Sequence, residues 1–219
     1  MRTRINRNSG FTTVELMIAM AIFGAVFSAF ALATLSASDS YKVGSARSEL
    51  EAKAYRTLER ITSSLDHAQR TTVNPEPAPP LGSSTLDFQE PSALAGSALM
   101  WTSPVQRFAF VIDPAELDNG VDDNGNGLID EGTVVWTEDP GGANQRSVII
   151  CRNVREFLEG EVFNGLDDNG NGLRDERGLS FDIVNALSDV ITVRLTLEDR
   201  DEEGRLLTST VETSVRVRN

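Results

Sequence analysis

Histidine and cysteine are almost missing from this chain: His67 and Cys151 are the single examples in 219 residues. A lone cysteine closes no internal disulfide and one histidine completes no Cys/His zinc set. Neither a Ser-His-Asp nor a Cys-His catalytic arrangement is present, and no glycine-rich phosphate loop opens a helix. Carboxylate pairs do occur, but within acidic loops that read as cation sites rather than as a glycosidase acid and base. The chain is therefore expected not to be an enzyme. Basic residues are also short, 20 against 33 acidic ones, which gives a formal charge of -13. So acidic a surface argues against nucleic-acid or anionic-lipid binding and favours a cationic partner. Cys151, in the apolar run Ser147-Val-Ile-Ile-Cys151, is expected as a buried strand thiol, and His67 as an exposed helix residue.

The next absence is local. From Phe11 to Leu35 the chain has 25 residues with no proline and one charge, Glu15. At about 1.5 Å per residue a helix of that length covers roughly 37 Å, enough to cross a hydrocarbon core of about 30 Å. Before it lie Arg2, Arg4 and Arg7 and no acid, so the positive-inside bias keeps that end cytoplasmic and sends the rest across. An ordinary secretory signal does not fit, because the apolar run is too long and no Ala-x-Ala-like site closes it. Glu15 invites two readings. A carboxylate costs about 2.5–3.5 kcal/mol at the centre of a membrane helix and less near an end, so it either snorkels to the interface or pairs with a cation. A cut after Gly10 would supply that cation, as a new α-amino group on Phe11.

The basic leader, the Gly10-Phe11 junction, Glu15 at the fifth position after it and the long apolar helix together resemble the prepilin-type cleavage and methylation segment of type IV pilins and pseudopilins. The resemblance implies that a prepilin peptidase cuts after Gly10 and methylates Phe11, and that Glu15 pairs with a neighbouring subunit's terminal amine during fibre assembly. Loss of the three leader arginines takes the formal charge from -13 to -16. The chain departs from many pilins in lacking a proline midway through the helix, where it offers only Gly24, worth about 1 kcal/mol of helix weakening against alanine. The implied fold is α+β: a long N-terminal helix, membrane-spanning in its first half, on an antiparallel sheet with acidic loop insertions. A weaker likeness, in strand order and the C-terminal ending, is to J-type minor pseudopilins of type II secretion and W-type minor pilins.

The residues themselves fill in that plan. Residues 1–10 read as a cleaved leader, 11–35 as the membrane and assembly helix, 36–71 as its amphipathic continuation and 72–219 as a β-rich soluble domain. Val43, Leu50, Ala54, Leu58, Ile61 and Leu65 make one helical stripe, expected to pack on a sheet. The proline-dense run from Thr71 to Pro80 ends it. Short runs of β-formers then predict strands at Thr85–Phe88, Ala98–Thr102, Gln106–Ile112, Thr133–Thr137, Ser147–Cys151, Leu179–Asp182, Val190–Glu198 and Thr208–Val217, the last two joined as a hairpin by Asp199–Gly204. Trp101 and Trp136 fall in strands and are expected to pack in the core.

The β-rich domain contains an internal repeat. Asn119-Gly-Val-Asp-Asp-Asn-Gly-Asn-Gly-Leu-Ile-Asp-Glu131 recurs 45 residues on as Asn164-Gly-Leu-Asp-Asp-Asn-Gly-Asn-Gly-Leu-Arg-Asp-Glu176, with eleven of thirteen positions identical. Set against the EF-hand loop, Asp122, Asn124 and Asn126 occupy positions 1, 3 and 5, Gly127 position 6, the Leu128 carbonyl position 7 and Asp130 position 9. Asp167, Asn169, Asn171, Leu173 and Asp175 repeat the pattern. Calcium requires six to eight hard oxygens, which alternate residues of a tight turn aim at one point, so up to two calcium ions are expected. Position 12, ordinarily a bidentate Glu, is Thr133 or Gly178. Either a contracted loop is closed by Glu131, Asp123, Glu176 or Asp168, or water completes a weak site. The competing reading is that these Asn-Gly segments are turns and nothing more.

These features together lead to a structural assembly subunit: a minor pseudopilin or minor pilin of a type II secretion or type IV pilus-like fibre. Its expected partners are prepilin peptidase, the inner membrane and other pilins met through the N-terminal helix. The alternative is a pilin-anchored, calcium-dependent adhesin, with a membrane-tethered hydrolase a distant third.

Overall fold

The computed structural model describes residues 11–75, 81–95, 98–101, 103–183 and 188–218. The leader through Gly10 and residues 76–80 of the proline-dense turn, both singled out above, lie outside them. The chain divides into two units, residues up to Ser45 and from Ala46 onward. One helix, α1 (Thr13–Leu65), runs from the first into the second.

In the first unit every side chain from Phe11 to Lys42 is exposed, including Phe23, Phe27 and Phe30. This is the one helix among the described residues that is long and apolar enough to cross a membrane. An all-round apolar helix with no protein against it is unstable in water and suited to lipid or to other helices. Gly24 does not interrupt it. Ser28 and Thr34 turn their hydroxyls back to the carbonyls of Gly24 and Phe30, at 2.8 and 2.9 Å, so neither hydroxyl is left bare on that stretch.

In the second unit the helix becomes one-sided. Leu50, Ala54, Leu58, Ile61 and Leu65, spaced three or four apart, are buried, while Glu51, Arg56, Glu59 and Arg60 remain outside. The stripe shares one core with Leu86, Phe88, Phe108, Val134, Cys151, Val193, Leu195 and Val211 from the sheet. Each such side chain contributes about 1.5–3 kcal/mol when fully buried. Phe88 and Phe108 stack at 5.5 Å between centroids. Burial pushes the Cys151 thiol pKa up, so it behaves as a small apolar residue.

The sheet is antiparallel throughout. β1 (Thr85–Phe88) pairs with β4 (Gln106–Ile112), which pairs with β5 (Gly132–Glu138), which pairs with β6 (Arg146–Val154). β8 (Val190–Arg200) carries β9 (Leu206–Arg216) along one edge through eleven residue pairs; its other edge takes β7 (Leu179–Asp182) and, at Leu197, Val154 of β6. β2 (Ala93–Ala95) and β3 (Ala98–Met100) form a separate small hairpin. An α+β pilin-like arrangement, with a long N-terminal helix on an antiparallel sheet, is thus what the structure has.

Several bounds differ from the sequence reading. The α-helix stops at Leu65 rather than 71, because the backbone groups of a further turn are used elsewhere. Arg218 N–H donates to the Ala68 carbonyl at 2.9 Å, Arg70 N–H to the Arg218 carbonyl at 2.6 Å, and Gln69 N–H to the Gln89 carbonyl at 3.3 Å. Arg70–Thr72 is a short 3₁₀ turn. β5, β6 and β8 extend beyond their expected spans, β9 starts two residues earlier and ends one earlier than expected, and β2 has no strand signal beside Pro91. Trp101 follows β3 and is half-buried; Trp136, half-buried on β5, donates to Gln106 Oε1 at 3.0 Å.

Candidate functional site

At the start of α1 the sequence Thr12-Thr-Val-Glu15 forms a capping box. Glu15 Oε2 accepts from both the Thr12 N–H and the Thr12 hydroxyl at 2.9 Å, and Glu15 N–H donates to Thr12 Oγ1 at 3.2 Å. Two N–H groups that begin a helix without partners are satisfied reciprocally. Glu15 is exposed and Phe11 is 91% exposed. Gly10, expected as the other half of the processing junction, lies outside the described residues.

The two acidic repeats are loops, one entering β5 and the other entering β7. In the first, Asp122 accepts N–H groups of Gly125 and Gly127 at 2.6 and 2.7 Å. Asn124 and Asn126 carbonyl oxygens accept the amides of Asn126 and Leu128, at 2.9 and 2.7 Å. Asp130 accepts from the amides of Asn119 and Gly120, which ties the end of the loop to its beginning. The second loop repeats these bonds with Asp167, Asn169, Asn171 and Asp175. Leu128 and Leu173 bury their side chains beneath the loops, and Asp130 and Asp175 have φ of 49° and 52°, a left-handed backbone that Asp adopts more readily than most residues. Gly127, at φ +88°, offers its carbonyl to Arg200 Nε at 2.7 Å, and a Cβ there would fall on that guanidinium.

Glu131 and Glu176 are the most informative members. Each is buried, at 3% and 2% exposed. Glu131 Oε1 accepts from Asn124 and Asn126 side-chain amides at 2.9 and 2.6 Å, and Glu176 Oε1 from Asn171 at 2.6 Å. The second oxygen of each carboxylate, Glu131 Oε2 and Glu176 Oε2, is buried with no hydrogen-bond partner. A buried acceptor left bare costs about 1–3 kcal/mol, more when charged. Asp123 and Asp168, the other candidates for closing the loops, instead accept from Asn119 and Asn164 amides at 2.9 and 2.8 Å.

Two functional residues escaped the sequence reading. Glu116 carboxylate oxygens accept from the amides of Asp123 and Asn124, at 3.2 and 2.9 Å. Glu161 does the same for Asp168 and Asn169, at 3.1 and 2.9 Å, and also takes the Asp175 amide. Both are buried and stand 45 residues apart, in the register of the repeat; extending the comparison three residues upstream of Asn119 and Asn164 reveals them. Their carboxylates hold the loop backbone in shape. Arg177 lies just past the second loop. It pairs with Glu156 at 2.5 Å and with Asp118 of the first loop at 3.5 Å, and lies 4.7 Å over the Phe157 ring. Burial pushes the Glu156 pKa up and Arg177 draws it down. Asp118, Asp130 and Glu156 thereby converge, with Arg177 as the cation among them.

Comparison with known families matches residues 5–31 to the prokaryotic N-terminal methylation motif. No curated protein and no solved structure matches the chain. The matched span covers the end of the leader from Ile5, the junction, Glu15 and the beginning of α1. That motif implies a structural subunit that associates with other pilins through its N-terminal helix, and with the apolar helix it fits anchoring in an inner membrane. Residues 5–31 of this chain are a prepilin-type segment, which supports a type IV pilin-like or pseudopilin assembly subunit.

Proposed function

We propose that this chain is a minor pseudopilin or minor pilin of a type II secretion or type IV pilus-like fibre. Prepilin peptidase cuts after Gly10, the helix holds the subunit in the inner membrane with the sheet domain on the far side, and Glu15 recruits a neighbour's terminal amine as the helix leaves lipid for the fibre. The observation that carries this reading is Glu15 at the head of α1, whose apolar first part is exposed throughout, inside the methylation motif. In the single chain its carboxylate is occupied by its own capping box, so a neighbour's α-amino group offers a charge that Thr12 does not.

Each acidic loop holds one calcium ion in this proposal. The fit rests on the bare, buried oxygens of Glu131 and Glu176: a cation stabilises a buried carboxylate in that position, and the Asp, Asn and Leu residues of each loop carry the hard oxygens that calcium takes. Asp122, Asn124, Asn126, Leu128, Asp130 and Glu131 would hold the first ion, and Asp167, Asn169, Asn171, Leu173, Asp175 and Glu176 the second. The Asn oxygens, and the Asp oxygens that accept a single backbone N–H (Oδ2 of Asp167 and Asp175 in the second loop), keep a second lone pair for the metal. Bound calcium supplies positive charge that neutralises the carboxylates and cross-links each loop. Glu131 and Glu176 serve in place of the missing position-12 ligand.

Two measurements test the proposal. Detection of the chain in sheared surface fibres or in an isolated pseudopilus supports it, and confinement to the membrane in a fibre-forming cell contradicts it. Isothermal titration of the full chain in detergent with calcium should show binding at two sites, and chelator should lower Tm. No heat and an unchanged Tm would remove the metal sites while leaving the assembly reading standing.

A further inference from the structure

Large apolar side chains are unevenly exposed on the sheet domain. Among the described residues beyond Tyr55, seven are more than half exposed, and six of these, Leu117, Val121, Ile129, Val162, Phe163 and Leu166, lie on the two acidic loops; the seventh is Leu81. Two pairs, Leu117 with Val162 and Val121 with Leu166, occupy equivalent repeat positions where the residue changes but its apolar character does not. Turn-forming loops need no such residues. The loops also adjoin. Asp118, next to Leu117, pairs with Arg177; Arg177 lies over Phe157; and Phe157 stacks with Phe163 at 5.9 Å. Phe163 remains 76% exposed even so.

We propose that the paired loops are a docking surface for a different protein that presents apolar side chains ringed by lysine or arginine. Charge complementarity selects this occupant. Residues 116–131 carry six acids and no base, and residues 161–176 five acids and one arginine, a total of -10. Two divalent cations would leave -6, so the surface is acidic with or without metal, and the proposal does not rest on the loops binding calcium. A second copy would bring the same charge, and anionic lipid is repelled likewise. Aromatic and aliphatic groups at the centre of an acidic field form an apolar anchor that excludes water, with a charged rim that steers the partner.

The test uses the full chain expressed at its native level in its own cells, with the photoreactive residue benzoylphenylalanine replacing Phe163, Val121 or, as a control on the sheet, Ile149. The proposal expects light-dependent adducts at 163 and 121, at least tenfold stronger than at 149. The cross-linked partner peptide should bear lysine or arginine beside apolar residues. Leu117→Ser with Leu166→Ser should cut the adduct at 163 at least tenfold without lowering the yield of folded protein, since both side chains are exposed. Adducts to a second copy, adducts to lipid, a partner peptide without basic residues, or no adduct would each overturn it.

Discussion

Arg177 and Asp118, 59 residues apart in sequence, meet at 3.5 Å and join the end of one acidic loop to the start of the other. The same guanidinium holds Glu156, so removing it leaves a half-buried carboxylate without its cation. Arg177→Ala is expected to cost about 1–3 kcal/mol, more than an exposed pair would. It should also speed amide exchange at residues 118–124 of the distant loop. Faster exchange confined to residues 161–176 would mean that the loops are independent.

Glu131→Gln and Glu176→Gln keep the shape of two buried side chains and remove the charge on oxygens that have no partner. In chelator each variant should be at least as stable as the parent, by up to about 1–3 kcal/mol. In calcium each should lose the rise in Tm that the parent shows. Thermal unfolding in both buffers checks this; a variant that is destabilised in chelator and still responds to calcium contradicts the ligand assignment.

Glu198 gives a pH dependence. Burial pushes its pKa above the ordinary value, and Arg155, at 2.8 Å, opposes this less strongly. A carboxyl with a raised folded pKa lowers stability most above that pKa, and the loss fades as pH falls from there toward the unfolded value. Glu198→Gln should therefore gain stability relative to the parent as pH rises from about 4 to about 7, and match it most closely at the acid end. If the variant instead falls behind at neutral pH, the Arg155 pair outweighs the burial. Tm measured across that range decides it.

Capping and charge at the helix start can be separated. Glu15→Gln can keep the hydrogen bonds to Thr12 but cannot carry a negative charge, whereas Thr12→Ala keeps the charge and loses the cap, worth about 0.5–2 kcal/mol. Processing should be normal in both. Incorporation into fibres, measured as the sheared fraction, should fail in Glu15→Gln as fully as in Glu15→Ala, and persist at a reduced level in Thr12→Ala. Normal incorporation of Glu15→Gln would leave only the capping role.

Much of the fold and of the loops is legible in the sequence because it is written in local patterns. An exposed apolar helix after three arginines needs no tertiary information, and neither does a run of thirteen residues that recurs nearly unchanged. Glu116 and Glu161 were hidden because the residues between them and the obvious repeat differ, Leu117-Asp118 against Val162-Phe163. The end of α1 at Leu65 depends on backbone bonds to Arg218, and the Arg177–Asp118 pair on how two loops are set side by side by β5, β6, β8 and β7. No short window of sequence contains either. The EF-hand template put Asp130 and Asp175 among the ligands by spacing; their bonds to the amides of Asn119, Gly120, Asn164 and Gly165 give them a loop-closing role that the template does not include.

Membrane anchoring, fibre entry and the role of Glu15 all depend on the chain being a processed prepilin. Intact-mass and amino-terminal peptide mass spectrometry of the protein from its native membrane tests this directly. The predicted result is a chain beginning at N-methylated Phe11, with residues 1–10 absent. A chain that still begins at Met1 would contradict it.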